Sequence, residues 1–454
     1  MMNGAQGDAS QPYAANITRF YAYRFAINFQ FWMPIFVIFL LEDRGLSLAQ
    51  IALLETVFSI TSLSAEVPTG AVADRFGRRT SILIGSLVLS GAIIFYGLSP
   101  SFAWLAGAYF VWAIARTLES GADSAFVYDS LAAVGRESDF AQVIGRAQAF
   151  WLTGALTASL IGAPLAALVG LQPVILLGAV SSLTAAAIAF TFKEPPRRDQ
   201  GERLHYVETM KVAVRFTLRT PQVLLTASLF AVFLGLGFTV YTFFQPLLRE
   251  QDVPLAAFAL FTTPPQLVAV LGSLIAYRVA ARLKERNFFV VAGIGISLTI
   301  VMIGIVPGLL VFALFPVFRM FTSMFNPIAL FYINTRTPQH IRATVISVTS
   351  MAEGLFLAIL GPPIGYLADS TSLSTAFVVV GLSVAALGGL NLVAWLAADR
   401  RLAVTPEVER GIAAVETDVD EGLPLPEPHF DRFVAREREV SDAQALERWE
   451  DRQR

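Results

Sequence analysis

Gly70-Ala71-Val72-Ala73-Asp74-Arg75-Phe76-Gly77-Arg78-Arg79 sets four charged side chains between two long apolar runs, so it reads as a short polar turn joining two membrane helices. Around it, 55% of the 454 residues are hydrophobic and only 15% are charged, a composition that excludes a soluble chain and marks a polytopic membrane protein. The net charge of -2 conceals an uneven spread, with most charges in the loops and the last fifty or so residues, and nothing in it points to nucleic acid. There is no cysteine, and His205, His340 and His429 all fall in polar connecting or tail segments, which excludes disulfides and thiolate metal ligands. Proton chemistry inside the membrane has to run on carboxylates.

Working outward, apolar runs long enough to span number twelve, at about 18–41, 47–70, 79–98, 102–132, 140–169, 172–192, 222–248, 254–280, 287–306, 308–335, 341–368 and 373–398. Alternate loops carry Arg75, Arg78 and Arg79, then Arg136, then Lys193 to Arg219, then Arg282, Lys284 and Arg286, then Arg336; the opposite loops carry only Arg44 and Arg249. Cytoplasmic loops retain Lys and Arg, so both termini are expected inside an inner (plasma) membrane crossed many times. Residues 1–17 lack the basic-then-apolar order of a signal peptide and read as a cytoplasmic lead. Residues 18–192 and 222–398 read as two six-helix bundles, 193–221 as the charged cytoplasmic linker, and 399–454 as a charged cytoplasmic tail with an amphipathic segment through Phe430, Val434 and Trp449. Gly162-Ala163-Pro164-Leu165-Ala166 and Gly361-Pro362-Pro363-Ile364-Gly365, half a chain apart, support a repeat.

Gly-x-x-x-Asp-Arg-x-Gly-Arg-Arg, met at Gly70, Asp74, Arg75, Gly77, Arg78 and Arg79, resembles the loop signature of the major facilitator superfamily. The resemblance implies an all-α membrane protein of twelve transmembrane helices in two pseudo-symmetric six-helix bundles, similar to the drug and metabolite exporters of that family. It implies that helices 3, 6, 9 and 12 lie outside while the others line a central pathway, and that the loop braces helix 2 against helix 11. Arg116 resembles the arginine of the family's helix 4 motif, linked there to proton coupling. The second bundle keeps only a worn copy of the signature, Tyr277 to Arg286, and Gly365-Tyr366-Leu367-Ala368-Asp369, which by the helix count faces outside, reads as a coincidence of turn chemistry. The family's exporters often carry a kinked glycine-proline element in helix 5, partly met here by Ala158, Gly162, Ala163, Pro164, Ala166 and Ala167.

A charge at the bilayer centre costs at least about 2.5–3.5 kcal/mol, so each one needs a reason. In the fourth run Arg116, Glu119 and Asp123 share a helix face by their spacing, and Asp129 points towards the inner mouth. The second run carries Glu55, Ser59, Ser62 and Glu66, the first Tyr21, Arg24 and Asn28, the seventh Tyr241 and Gln245, the tenth Arg319 and Asn326, and the eleventh Glu353. Such stripes face one another or a water-filled cavity. Three readings compete for the Arg116 cluster: a carboxylate trading its proton for the guanidinium, a permanent salt bridge, or direct substrate contact. Glu353 is either a proton or cation site or one half of an ion pair with Arg319. Arg24 and Glu66, near the inner mouth, read as gate partners. In the loop, Asp74 is expected to accept from free N–H groups at the start of a neighbouring helix and Arg78 to pair with Asp129, latching the inner ends.

The resulting expectation is a secondary active transporter, working by alternating access, that exports a small, amphipathic molecule against inward proton movement, with Asp123, Glu119 or Glu353 binding the proton and Arg116 coupling. Its partners are the substrate, protons and lipid, its energy source the proton gradient without a cofactor, and its state a monomer. Proton-coupled import and uniport are the rivals within transport. A non-transporting receptor or scaffold is the rival from another class. An enzyme is not expected, because the sequence offers no nucleophile–base constellation, P-loop or metal cluster.

Overall fold

The computed structural model describes residues 6–196, 206–338 and 341–401. The linker arginines Arg197, Arg198 and Arg203, the histidines His205, His340 and His429, and the tail with Phe430, Val434 and Trp449 lie outside the described residues. Among those described there are helices and no strand.

The chain opens with α1 (Gln6–Asn28), which unwinds over residues 29–35 and resumes as a short α2 (Phe36–Ile38) running into a π-helical turn at Phe39–Asp43. Exposed peptide groups are not tolerated at membrane depth, so this break survives only because it is packed in protein and hydrogen-bonded. Gln30 donates to Ile27 O and to Ser182 Oγ, and Trp32 donates to Gln30. Then follow α3 (Leu48–Phe76), α4 (Arg78–Leu98), α5 (Phe102–Ser120), α6 (Asp123–Ala132), α7 (Phe140–Val169) and α8 (Leu171–Phe190). A basic, amphipathic α9 (Tyr206–Arg219) precedes α10 (Pro221–Phe230), a π turn at Ala231–Gly235, α11 (Leu236–Glu250), α12 (Phe258–Ile305), α13 (Leu314–Thr335), α14 (Arg342–Ser370) and α15 (Leu373–Arg401).

Local chemistry sets the boundaries. Ser47 and Gln50 form a reciprocal capping box at the start of α3. Pro221 opens α10 where its missing N–H costs nothing. Gly77, at φ +107°, ends α3 and starts α4 in one residue. Lys284, at φ 60°, breaks α12 into the two helices expected at 254–280 and 287–306.

Nine helical stretches among the described residues are long and apolar enough to cross a bilayer, fewer than the twelve expected. One of the nine, Leu255–Ile305, holds two of the expected runs. The runs at 18–41 and 102–132 are interrupted, the second by a turn at Gly121 and Ala122, and their polar side chains lower their hydropathy. Leu168, Leu260, Leu310 and Leu390 stand exposed on the bundle surface, as lipid-facing residues must. Inside, α4 packs between α5 and α8, α12 against α13 and α15, α1 against α7, and α3 against α14 along an antiparallel seam.

Candidate functional site

Polar side chains gather in three places, which are most easily located by the two ends of the bundle, one carrying Gly45 and the other Gly77. The first lies where α1, α4, α5 and α6 meet. Arg116 donates to Glu119 at 2.7 Å, three residues on in the same helix, and Glu119 is buried with Ser86 Oγ at 3.4 Å. Asp123 does not join them. The turn at Gly121 rotates α6 away from α5, so the face shared by Arg116, Glu119 and Asp123 in an unbroken helix does not form. Asp123 instead accepts from Arg24 of α1 at 2.8 Å, and Arg24 also reaches Gln148. The partner of Arg24, expected in gate pairing, is Asp123. Asn28 donates to Trp151 O of α7, fixing α1 where it unwinds.

The second place is a cavity of about 70 Å³ between α7, α11, α12, α13 and the unwound part of α1. Arg319, Tyr241, Gln245, Gln266, Ser159 and Thr262 give it polar lining, and Phe244, Phe315 and Phe318 give it apolar walls. Arg319 makes no ion pair with any described residue, and neither does Glu353, so the Arg319–Glu353 pair, one of the two readings of Glu353, is absent among the described residues. The reason is packing. Glu353 faces α11's preceding π turn, where a Cβ on Gly235 would lie 3.2 Å from the Glu353 carbonyl oxygen, while Arg319 sits near the start of α13 and turns into the cavity. Glu55 accepts from Tyr109 at 3.4 Å. Ser59 meets Gly354 of α14, the Ser62 hydroxyl is buried without a partner, Glu66 is half-buried, and Asn326 is exposed on α13.

The third place is the pair of helix-end caps. At the Gly77 end, Arg78 lies 3.5 Å from Asp129 and 3.8 Å from Asp74, Arg79 donates to Phe190 O, and Arg75 stacks over Phe76. The free N–H groups at the start of α4 are capped by Glu194, which accepts from Arg78 N at 2.7 Å and Arg79 N at 2.8 Å. Sequence reasoning passes over Glu194, which lies in the stretch read as linker. A Cβ at Gly77 would fall 2.8 Å from that carboxylate, so the glycine serves the cap as well as the turn. A Cβ at Gly70 would meet nothing within 4 Å.

At the Gly45 end, Asp369 of α14 accepts from Leu48 N and Ala49 N at 2.9 Å each, capping the start of α3. The Gly365–Asp369 stretch is therefore a working motif and not a coincidence of turn chemistry. Gly365 lies against the Leu48–Ala49 backbone, where a Cβ would come within 2.7 Å. The same helix pair is tied again by Thr56, which donates to Ala358 O at 2.9 Å. Gln245 accepts from Val37 N at 3.1 Å and Ile38 N at 3.4 Å and donates to Met33 O at 3.0 Å. Arg249 pairs with Glu42 at 2.7 Å, and Gln266 donates to Ser159. These bonds join residues 18–192 to residues 222–398 around the Gly45 end. The buried Gln245 contacts, each worth about 0.5–1.5 kcal/mol net, outweigh the Arg249–Glu42 pair, which at 38% and 41% exposure contributes about 0.2–1 kcal/mol. Gly162 of the helix-5 element packs directly on the Phe31 carbonyl, which accounts for its lack of a side chain.

A profile of the Major Facilitator Superfamily matches residues 22–359. The probable sulfoacetate transporter SauU of Cupriavidus necator is 28% identical over 264 residues, which span 54% of this chain and only 59% of that protein. Among solved structures, the nucleoside transporter NupG superposes with a TM-score of 0.69 at 14% identity, covering 84% of this chain and 98% of that one. A bacterial homolog of the human lysosomal transporter Spinster, in an inward-facing and unoccupied conformation, gives 0.67 at 17% identity, with 86% and 97% covered. At such identities the likeness is one of fold.

Proposed function

The chain belongs to the Major Facilitator Superfamily, and from that premise we propose that it is a secondary active transporter, not an enzyme, that moves a small molecule by alternating access, coupled to protons. The observation that carries this reading is Gln245. Its side chain lines the cavity and, with the same amide, ties α11 to the unwound end of α1. A binding site whose wall is also its lid is what alternating access requires, because release at the Gly45 end demands that those bonds break.

We take the Gly77 end as cytoplasmic, since Arg75, Arg78, Arg79, Arg136, Arg282 and Arg336 gather there. The two bundles, residues 18–192 and 222–398, are then the rocking bodies, and the Asp369 and Gln245 contacts close the outer mouth. Glu353 is the proton site. The acids of the first cluster hold arginines at 2.7 and 2.8 Å, so a proton taken up there breaks a pair, whereas Glu353 has no cation beside it among the described residues and can gain a proton without breaking one. Arg116–Glu119 and Arg24–Asp123 act as structural pairs. Export in exchange for inward protons is the direction we adopt, on the strength of the packed, proline-bearing Gly162–Pro164 element. The substrates named for SauU and NupG, sulfoacetate and nucleosides, support a small polar organic cargo.

The test uses the full chain in proteoliposomes under an imposed pH gradient. A transported compound should move protons, and Glu353→Gln should retain substrate counterflow while losing proton movement. Unchanged proton movement in Glu353→Gln would remove Glu353 from the mechanism.

A further inference from the structure

We propose that the cavity beneath the Gly45 clamp binds the acid group of a small organic anion, a carboxylate or sulfonate, with Arg319 as its counter-ion. The proposal rests on the transport reading and names the substrate class of that site. Arg319 is set apart from the other arginines within the expected spans. Arg24 and Arg116 each sit on a carboxylate at 2.8 and 2.7 Å, while Arg319 has none among the described residues. A guanidinium within the span costs free energy that an acid partner ordinarily offsets. Here the space where that partner belongs is the cavity itself.

The rest of the lining has the matching chemistry. No carboxylate lines it, and Tyr241, Gln266 and Thr262 bring hydroxyl and amide donors. The Thr262 hydroxyl is buried and has no partner among the described residues. The arginine fork presents parallel N–H groups that fit two oxygens of one acid group, a match a lone ammonium lacks. The cavity, of about 70 Å³, suits a small organic acid. Phe244, Phe315 and Phe318 shape the wall for an apolar stem. An inside-negative potential favours export of such an anion by about 2.3 kcal/mol per charge per 100 mV.

The experiment follows thermal unfolding of the purified full chain with propionate, ethanesulfonate and benzoate, against propionamide and benzylamine as neutral and cationic matches. The anions should raise the midpoint by several degrees and the matches should not. Arg319→Gln should weaken anion binding at least tenfold, Arg319→Lys should keep a reduced response, and Tyr241→Phe should lose a few-fold. Equal stabilisation by propionamide or benzylamine, no response to any anion, or full anion affinity in a monodisperse Arg319→Gln protein would overturn the proposal. Counterflow separates the two readings. Anion binding without flux of any bound anion contradicts transport and leaves the site standing, whereas flux of neutral or cationic probes alone contradicts the site and leaves transport standing.

Discussion

Asp369 caps Leu48. The carboxylate at the end of α14 takes the first free N–H groups of α3, those of Leu48 and Ala49, at 2.9 Å each. Glu194 does the same for α4 at the opposite end of the bundle, on Arg78 N and Arg79 N. Both use the positive end of a helix dipole as an anion socket, and both need a glycine, Gly365 to let two backbones approach and Gly77 to admit the carboxylate. The two differ in what they join. Glu194 follows within four residues of α8, in the half of the chain that holds α4, whereas Asp369 and α3 belong to different bundles, so of these two caps the second has to break when the bundles rock.

Replacing Asp369 should loosen the Gly45 end. Asp369→Ala is expected to cost about 0.5–2 kcal/mol of the closed state, the range for loss of an N-cap. The chain has no cysteine, so Thr56→Cys introduces a unique thiol behind the seam. In the Asp369→Ala background that thiol should react several-fold faster with an impermeant maleimide. Equal rates would show that Asp369 does not hold this end shut.

The Arg24–Asp123 pair is read as structural. Asp123→Asn leaves Arg24 without its carboxylate in a site where the side chains are 20% and 17% exposed. Breaking a fully buried pair costs about 3–5 kcal/mol, so partial exposure puts this loss nearer 1–3. Calorimetry should find Asp123→Asn less stable than the Arg24→Gln, Asp123→Asn double variant. Loss of proton coupling in Asp123→Asn with unchanged stability would return this residue to the coupling pathway.

Gly77 and Glu194 should be energetically coupled. Gly77→Ala forces a side chain into φ +107° and its Cβ onto the Glu194 carboxylate. The backbone strain costs about 1–3 kcal/mol and the lost cap about 0.5–2. Adding Glu194→Ala to Gly77→Ala relieves the clash but not the strain, so the double variant should lose less than the sum of the singles in thermal unfolding. Additivity would mean that the two residues do not meet.

How much of this was legible in the sequence varied with how local the signal was. Gly70 to Arg79 announced the family and the turn because every defining residue sits within ten positions. The apolar runs gave the helices, although the unwinding at 29–35 was invisible, since it depends on Gln30 finding Ser182 in another helix. The break at Gly121 disguised the partners of Asp123, because helical spacing arithmetic assumes an unbroken helix. Glu194 looked like linker, and its role appears only when 116 residues of chain fold back on Arg78. The Asp369 stretch reads as turn chemistry because its motif falls on the wrong side of the membrane for the family's signature, although cap chemistry has no side.

The central claim is that the Gly45 end opens as part of a cycle. It is tested most directly by the distance between spin labels on Asp43→Cys and Asp252→Cys, which flank the Arg249–Glu42 contact from the two bundles. In nanodiscs the account predicts two distance populations, a short one matching the clamped structure and a longer one whose share changes with pH and is altered by Gln245→Ala. A single short distance at every pH, unmoved by Gln245→Ala, would contradict it.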